Sequence, residues 1–261
     1  MKINIGFFQF KSKFGDVNYN LERINDNLKN KKINLLVLPE LYTTGYLFKN
    51  KNELKKYSEE IPSGKSVQKI KDICKNNNVY IVCGLPEIKK NKLYNSCVLV
   101  GPKGYIGKYQ KTHLFYKEKN TFNKGETNYK VFKTAIGNIG LIICFDYMFP
   151  EIVRTLALKG VDIICCPCCL KTKPKKVMTC MRSRSLENGI FTITVNKVGK
   201  ERNIDFCGES EIVDPRMKVL AKGNNREDIQ MVTIDVKKAR NKNYNKYNNL
   251  MGDRRKELYK L

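Results

Sequence analysis

The stretch "NIGLIICFDYMFPEIVRTLALKGVDIICC", residues 138–166, decides the fold class. Residues 138–144 form a nearly continuous apolar run, as buried strands do. "PEIVRTLALKG" (150–160) reads as a helix, with Pro150 early and Gly160 at its end, the usual asymmetry of helix termini. "VDIICC" (161–166) is the next strand. The first strand closes on Cys144, and a helix starts just beyond it. A cysteine that only fills a core needs no such place. A nucleophile displayed at the end of a sheet does.

Working outward, the alternation continues. Residues 3–10 read as a strand, and 18–30 as an amphipathic helix with Leu21, Ile24 and Leu28 at helical spacing. "INLLVL" (33–38) is a buried strand stopped by Pro39. Residues 65–77 suit a helix and 79–84 a strand. Residues 93–101 and 105–111 suit a hairpin turning at Pro102 and Gly104. Residues 173–189 suit a helix ending at Gly189. Strands follow at 190–196, 210–214, 218–221 and 230–236, then a basic, loop-like tail with a last helical turn near 254–258. No Pro-rich or Gly/Ser linker and no fixed-period repeat divides the chain, so one α/β domain over residues 1–261 is expected. There is no GxGxxG after the first strand and no GxxxxGK[ST], so nucleotide cradling lacks its usual signal.

Composition narrows the function classes. Of 261 residues, 41% are hydrophobic and 29% charged, which suits a folded chain rather than a disordered one. Mean hydropathy is −0.47, and no apolar run reaches the roughly 18 residues of a membrane span. The start shows no secretory leader pattern, and ten cysteines in such a chain suggest reduced thiols, so a cytoplasmic protein is expected. The net charge of +25 invites a nucleic-acid or anionic-membrane reading. Its lysines and asparagines are scattered through runs such as "NLKNKK", "KNKNELKK" and "NKNYNKYNN", which fits a solvated basic surface better. No specific nucleic-acid partner and no membrane partner are expected.

Three strand ends carry chemistry. His113 is the only histidine, so a Ser-His-Asp triad would have to use it, and no GxSxG accompanies it. If Cys144 is a nucleophile, a carboxylate is the natural base. "LVLPELYTTGY" sets Glu40 directly after a buried run, where a carboxylate is costly unless paired or used. "GKYQKTHLF" sets Lys111 at another strand end. The plainer readings are a core cysteine, a surface glutamate and one more solvated lysine.

Together these residues resemble the nitrilase superfamily of carbon–nitrogen hydrolases. "LPELYTTGY", "GKYQKTHLF" and "GLIICFDYMFPE" match, in order, the motifs that hold that family's Glu-Lys-Cys triad. "YNSCVLVGPKG", "FNKGE", "VFKTAIGNIG", "RTLALKGVDII", "RSRSLENGIF", "VNKVG", "GESEIVDP" and "DRRKELY" extend the likeness over almost the whole chain. The resemblance implies an αββα sandwich with two mixed sheets. It implies Glu40 as general base, Cys144 as nucleophile, and Lys111 with the backbone N–H of Phe145 as stabilisers of the tetrahedral intermediate. Glu118 becomes an accessory positioning group. Tyr46, Tyr147 and Leu170 become pocket-lining positions. The reaction implied is hydrolysis of a small amide, N-carbamoyl amine or nitrile by water, through a cysteine thioester, with no metal or organic cofactor. Within the superfamily the sequence looks most like the smaller microbial nitrilase and aliphatic-amidase-like members, and the resemblance implies a homodimer or larger homo-oligomer. Within the class, the basic balance disfavours a cationic substrate. A catalytically silent, basic binding protein on the same scaffold is the alternative.

One stretch departs from the family pattern. "CCPCCL" (165–170) has the CxxC spacing of zinc sites twice, at Cys165/Cys168 and Cys166/Cys169. Thiols in a strand alternate in direction, so Pro167 would have to create a knuckle for them to converge on zinc. Small core or pocket residues are the preferred reading. His113 is expected to pack or hydrogen-bond near the site rather than to act in catalysis.

Overall fold

A computed structural model describes residues 1–126, 128–171 and 175–259. In chain order the elements begin β1 (Lys2–Gln9), α1 (Val17–Leu28), β2 (Leu35–Val37), α2 (Lys51–Tyr57), α3 (Lys65–Asn77), β3 (Tyr80–Lys89), β4 (Lys92–Gly101) and β5 (Gly104–Gln110). They continue with β6 (Val131–Thr134), β7 (Gly137–Leu141), α4 (Pro150–Leu158), β8 (Ile163–Cys168), α5 (Lys175–Asn188) and β9 (Phe191–Asn196). The last are β10 (Val198–Glu201), β11 (Ile204–Cys207), β12 (Glu211–Val213), β13 (Val219–Lys222), β14 (Asp228–Asp235) and α6 (Lys237–Arg240).

Among the described residues, the strands build two six-stranded sheets, β14-β1-β2-β3-β4-β5 and β13-β12-β9-β8-β7-β6, with β10 and β11 forming a separate ribbon. Each large sheet has three parallel strands at its centre, β1-β2-β3 and β7-β8-β9, flanked by antiparallel ones. Alternation along the strands explains the layering. Ile3, Ile5, Phe7, Leu35 and Val37 face the second sheet, sharing a core with Ile139, Leu141, Ile163 and Ile193. Their neighbours Phe8, Leu36 and Leu38 face the other way, onto Leu21, Ile24 and Leu28 of α1 and Val67, Ile70 and Ile73 of α3. Val153 and Leu156 of α4 and Met181 of α5 cover the second sheet. The result is the αββα sandwich with two mixed sheets.

The structure extends the sequence reading in several places. Residues 51–57, read as a bare charge run, form α2; Leu54 alone of its residues is buried, and Asn50 caps it by accepting from the Glu53 N–H. The strand expected at 79–84 runs on to Lys89, through Pro86, and turns back at Lys90 and Asn91, both at positive φ. The tight primed turn needs that backbone. β6, the β10–β11 ribbon and α6 appear in stretches that had no strand or helix assigned. The strand expected to end on Cys144 leaves the ladder after Leu141, and a 3₁₀ turn begins at Cys144. Positions 173 and 174 of the expected fifth helix lie outside the described residues.

Candidate active site

Glu40, Lys111 and Cys144 arrive from three strand ends, and the fold buries all three: 1%, 1% and 8% exposed. Glu40 follows β2 after Leu38 and Pro39. Leu38 still donates to the Val82 carbonyl, so the chain stays against β3 up to the bend. There β3 must be bare. A Cβ on Gly84 would stand 2.5 Å from Leu41 N, 2.8 Å from Pro39 O and 2.9 Å from the Glu40 Cα. Glycine at 84 is what lets the Glu40 segment lie down on β3.

Lys111 comes one residue after β5, with its N–H on the Asn95 carbonyl (2.8 Å) and its own carbonyl accepting from Gly125 N (2.8 Å). Gly125, of the "FNKGE" motif, is packed so closely on the Gln110 carbonyl that any side chain would collide with it. The Lys111 ammonium donates to Glu40 Oε1 (2.7 Å) and Glu118 Oε1 (2.8 Å). Asn95 of β4 also donates to Glu40 Oε1, at 2.7 Å. Glu40 Oε2 is buried and has no hydrogen-bond partner among the described residues. One carboxylate oxygen is therefore doubly tied down and the other is free.

Cys144 opens the 3₁₀ turn Cys144–Met148 with φ +43°. That backbone is strained for a side-chain-bearing residue and is typical of an exposed elbow. Asp146 holds the elbow. Its Oδ2 accepts from Ile143 N (2.9 Å) and Tyr109 OH (2.8 Å), and its Oδ1 accepts from His113 N (3.2 Å) and Thr112 Oγ1 (3.2 Å). One buried carboxylate thus binds the cysteine turn to the segment carrying Lys111. His113 also places Nδ1 2.9 Å from Asp146 Oδ1 and stacks on Phe149 at 3.6 Å, the packing and hydrogen-bonding role expected of it.

The electrostatics set the protonation states. Burial pushes the Glu40 carboxyl up, Lys111 opposes it, and the Glu118 charge adds to the rise. Burial alone would lower the Lys111 ammonium, but Glu40 and Glu118 outweigh it, and its pKa stands well above the usual lysine value. For Cys144 the largest single influence is donation from the Cys168 thiol, which lowers its pKa. Burial and the Glu40 charge raise it, Lys111 lowers it, and the net direction is upward. The net upward direction favours the thiol form of Cys144, beside the Lys111 ammonium and the Glu40 carboxyl.

Of the accessory residues, Glu118 is 6% exposed and fully occupied: Oε1 takes the Lys111 ammonium and Tyr46 OH (2.6 Å), and Oε2 takes Phe115 N (2.8 Å). Tyr46 thereby enters the cluster, its hydroxyl pushed well above its ordinary pKa chiefly by burial. A cleft of about 480 Å³ opens over Tyr46, Phe115 and Glu118, with Lys49, Lys117, Lys171 and Arg202 also lining it. Tyr147 and Leu170 are not among its described lining residues. Tyr147 is half-buried, and its hydroxyl is pushed up to about 12, first by burial and then by the Cys144 charge. Leu170 donates its N–H to Asn196 Oδ1 (2.7 Å). Phe145, next to Cys144, packs its ring on Phe115 (5.1 Å) and Phe149 (5.7 Å). Asn95 and Asp146 are the residues that sequence reasoning gave no role, although both lie inside motifs it singled out.

The cysteine run forms no knuckle. Pro167 and Cys168 stay in register with Val195 and Asn196, so β8 is straight there. Cys165 and Cys168 then project to opposite faces and cannot converge on zinc. Cys166 and Cys168 share a face, their sulfurs 3.6 Å apart, while Cys169 donates to the Glu40 carbonyl at 3.2 Å.

Comparison with known proteins agrees with this geometry. Residues 4–244 match the family model described as carbon-nitrogen hydrolase. A protein named nitrilase from Pyrococcus abyssi is 40% identical over 246 residues, 94% of this chain and 93% of its own length. Omega-amidase NIT2 of Homo sapiens is 32% identical, covering 78% of this chain and 77% of its own. The solved carbon-nitrogen hydrolase from Helicobacter pylori G27 superposes with a TM-score of 0.85 at 25% identity, over 92% of each chain.

Proposed function

The chain belongs to the carbon–nitrogen hydrolase family and is an enzyme of the amidase/nitrilase type, and on that premise we propose that Glu40, Lys111 and Cys144 are its catalytic triad, acting on a small amide, N-carbamoyl amine or nitrile. The observation that carries this reading is the divided Glu40 carboxylate, with Oε1 fixed by Lys111 and Asn95 and Oε2 buried and free. A buried carboxylate oxygen without a partner is costly. It is placed for a proton that comes and goes.

The steps follow from the charges. Cys144 rests as a thiol, so attack on the substrate carbon needs a base, and Glu40 Oε2 takes the proton as the C–S bond forms. The negative charge developing on the substrate oxygen, or on the nitrogen of a nitrile, falls to the Lys111 ammonium and the Phe145 N–H. For an amide, Glu40 returns its proton to the departing ammonia or amine, leaving a thioester. Glu40 then deprotonates water, which attacks the thioester, releases the acid and restores the thiol. A nitrile passes first through a thioimidate. Glu118, tied to Lys111, Tyr46 and Phe115 N, keeps the ammonium aimed.

The cleft rim bears Lys49, Lys117, Lys171 and Arg202, the last paired with Glu53. A neutral or anionic substrate suits that rim better than a cation such as N-carbamoylputrescine. The triad occupies one hydrolase domain spanning residues 1–261, which works as a homodimer or larger homo-oligomer in the cytoplasm. No helix of the described residues is long and apolar enough to cross a membrane. The silent-binding alternative gains no support from a chain whose family members are named as hydrolases. The test is ammonia release from a panel of neutral, anionic and cationic amides, carbamoyl amines and nitriles, beside Cys144→Ala. Release from neutral or anionic members that the variant abolishes is the expected result. Release that persists in Cys144→Ala overturns the triad.

A further inference from the structure

The mechanism above uses Cys144 and leaves unexplained the thiols packed behind it. β7 and β8 run parallel, with Ile139 opposite Ile163, Gly140 opposite Ile164 and Leu141 opposite Cys165. The Ile142 N bond to the Cys165 carbonyl (3.1 Å) closes the last of these pairs, and the chain then leaves the ladder for the 3₁₀ turn, which packs against β8. Cys144, at the start of that turn, and Cys168, at the end of β8, share one buried cluster. The two thiols are in fact within hydrogen-bonding reach of each other. Cys168 is fully buried, on the same face as Cys166, whose sulfur is 3.6 Å away. A thiol that only fills space has no need to face the nucleophile.

We infer that Cys144 and Cys168 form a reversible oxidation site, in which a hydroperoxide converts the nucleophile to a sulfenic acid and Cys168 resolves it to a disulfide. In the first step the Cys144 sulfur attacks a peroxide oxygen as Glu40 takes the thiol proton. The O–O bond breaks, and the departing hydroxide takes up that proton and leaves as water. Sulfur has lost two electrons to the peroxide. In the second step the Cys168 sulfur attacks the Cys144 sulfur, the S–O bond breaks, and hydroxide leaves with the Cys168 proton as a second water. The disulfide blocks hydrolysis and protects Cys144 from the irreversible sulfinic and sulfonic acids. A thiol reductant restores both groups. Cys168 needs no solvent access of its own, because peroxide has only to reach Cys144.

The inference rests on the proposed reactivity of Cys144, and the two can be separated. The reduced full-length protein is treated with hydrogen peroxide, its remaining thiols are blocked, and its peptides are mapped by mass. A linked Cys144–Cys168 peptide, short of two hydrogens, is expected, together with ammonia release that is lost and then recovered with dithiothreitol. Cys166→Ser should still form the link. Cys168→Ser should instead accumulate two oxygens on Cys144 and stay inactive after reduction. A wild-type map showing Cys144 carrying two oxygens with no link, or Cys168 linked only to Cys166, overturns the inference without recourse to any variant. Failure of the catalytic reading shows separately, as a Cys144 that reacts with iodoacetamide no faster than the other thiols.

Discussion

Lys111 with Glu40, and Lys197 with Glu201, are both lysine–glutamate pairs taken almost wholly out of solvent. Their surroundings differ. Glu201 spends both oxygens: Oε2 pairs with Lys197, and Oε1 accepts from Tyr46 N (2.8 Å) and Leu47 N (2.6 Å). Glu40 concentrates its donors on Oε1 and leaves Oε2 unpaired, with a third charge, Glu118, and a thiol beside it. Residue type and burial are the same in both places. The fully satisfied pair clamps the Tyr46 loop; the under-satisfied one leaves an acceptor free, as the proposed general base requires. The missing hydrogen bond is what sets Glu40 apart.

Substitutions can break this contrast. Glu40→Gln keeps the shape and removes the proposed base, and turnover should fall about 10²–10⁴-fold with little change in melting temperature. Gly84→Ala changes no functional group but pushes the Glu40 segment off β3; a displacement near 1 Å should cost about 10²-fold in kcat. Glu201→Gln should do the reverse of Glu40→Gln. It leaves Lys197 buried and uncompensated, so denaturant titration should show a loss of about 3–5 kcal/mol, with kcat of the folded fraction far less affected. If Glu201→Gln instead abolishes turnover at unchanged stability, the two pairs are not different in kind.

The pH profile sharpens the same point. Burial raises the Glu40 carboxyl above 4.5, so the free base is lost as pH falls through that raised value. The acid limb of kcat/KM should lie above the ordinary carboxylate range, and the residual activity of Glu40→Gln should not show it. Lys111 stays charged through this window because its pKa is raised, so no loss from its deprotonation is expected near neutrality.

Glu40, Lys111 and Cys144 were legible as candidates because each is an anomaly. A charged or nucleophilic residue ends an apolar run, and the run itself tells where the strand stops. Asn95 and Asp146 break no such pattern. An asparagine inside a strand and an aspartate after a cysteine look like ordinary polar residues until the sheets bring Glu40, Tyr109 and His113 to them. The extra length of β3 was hidden by Gly84 and Pro86, which normally interrupt strands. Here Gly84 admits the Glu40 segment, and Pro86 spends its carbonyl on Glu59 N (3.2 Å). Three-residue strands such as β2 and β12 are too short for periodicity to bound.

The most direct measurement is the alkylation rate of each of the ten thiols by iodoacetamide, followed by mass in the wild type and in Glu40→Gln. Cys180 and Cys207 are the more exposed thiols, so solvent access alone predicts that they react first. With Glu40 as its base, buried Cys144 should instead be labelled fastest, and Glu40→Gln should slow it selectively. Cys180 and Cys207 reacting ahead of Cys144, or a Cys144 rate indifferent to Glu40→Gln, would contradict that role.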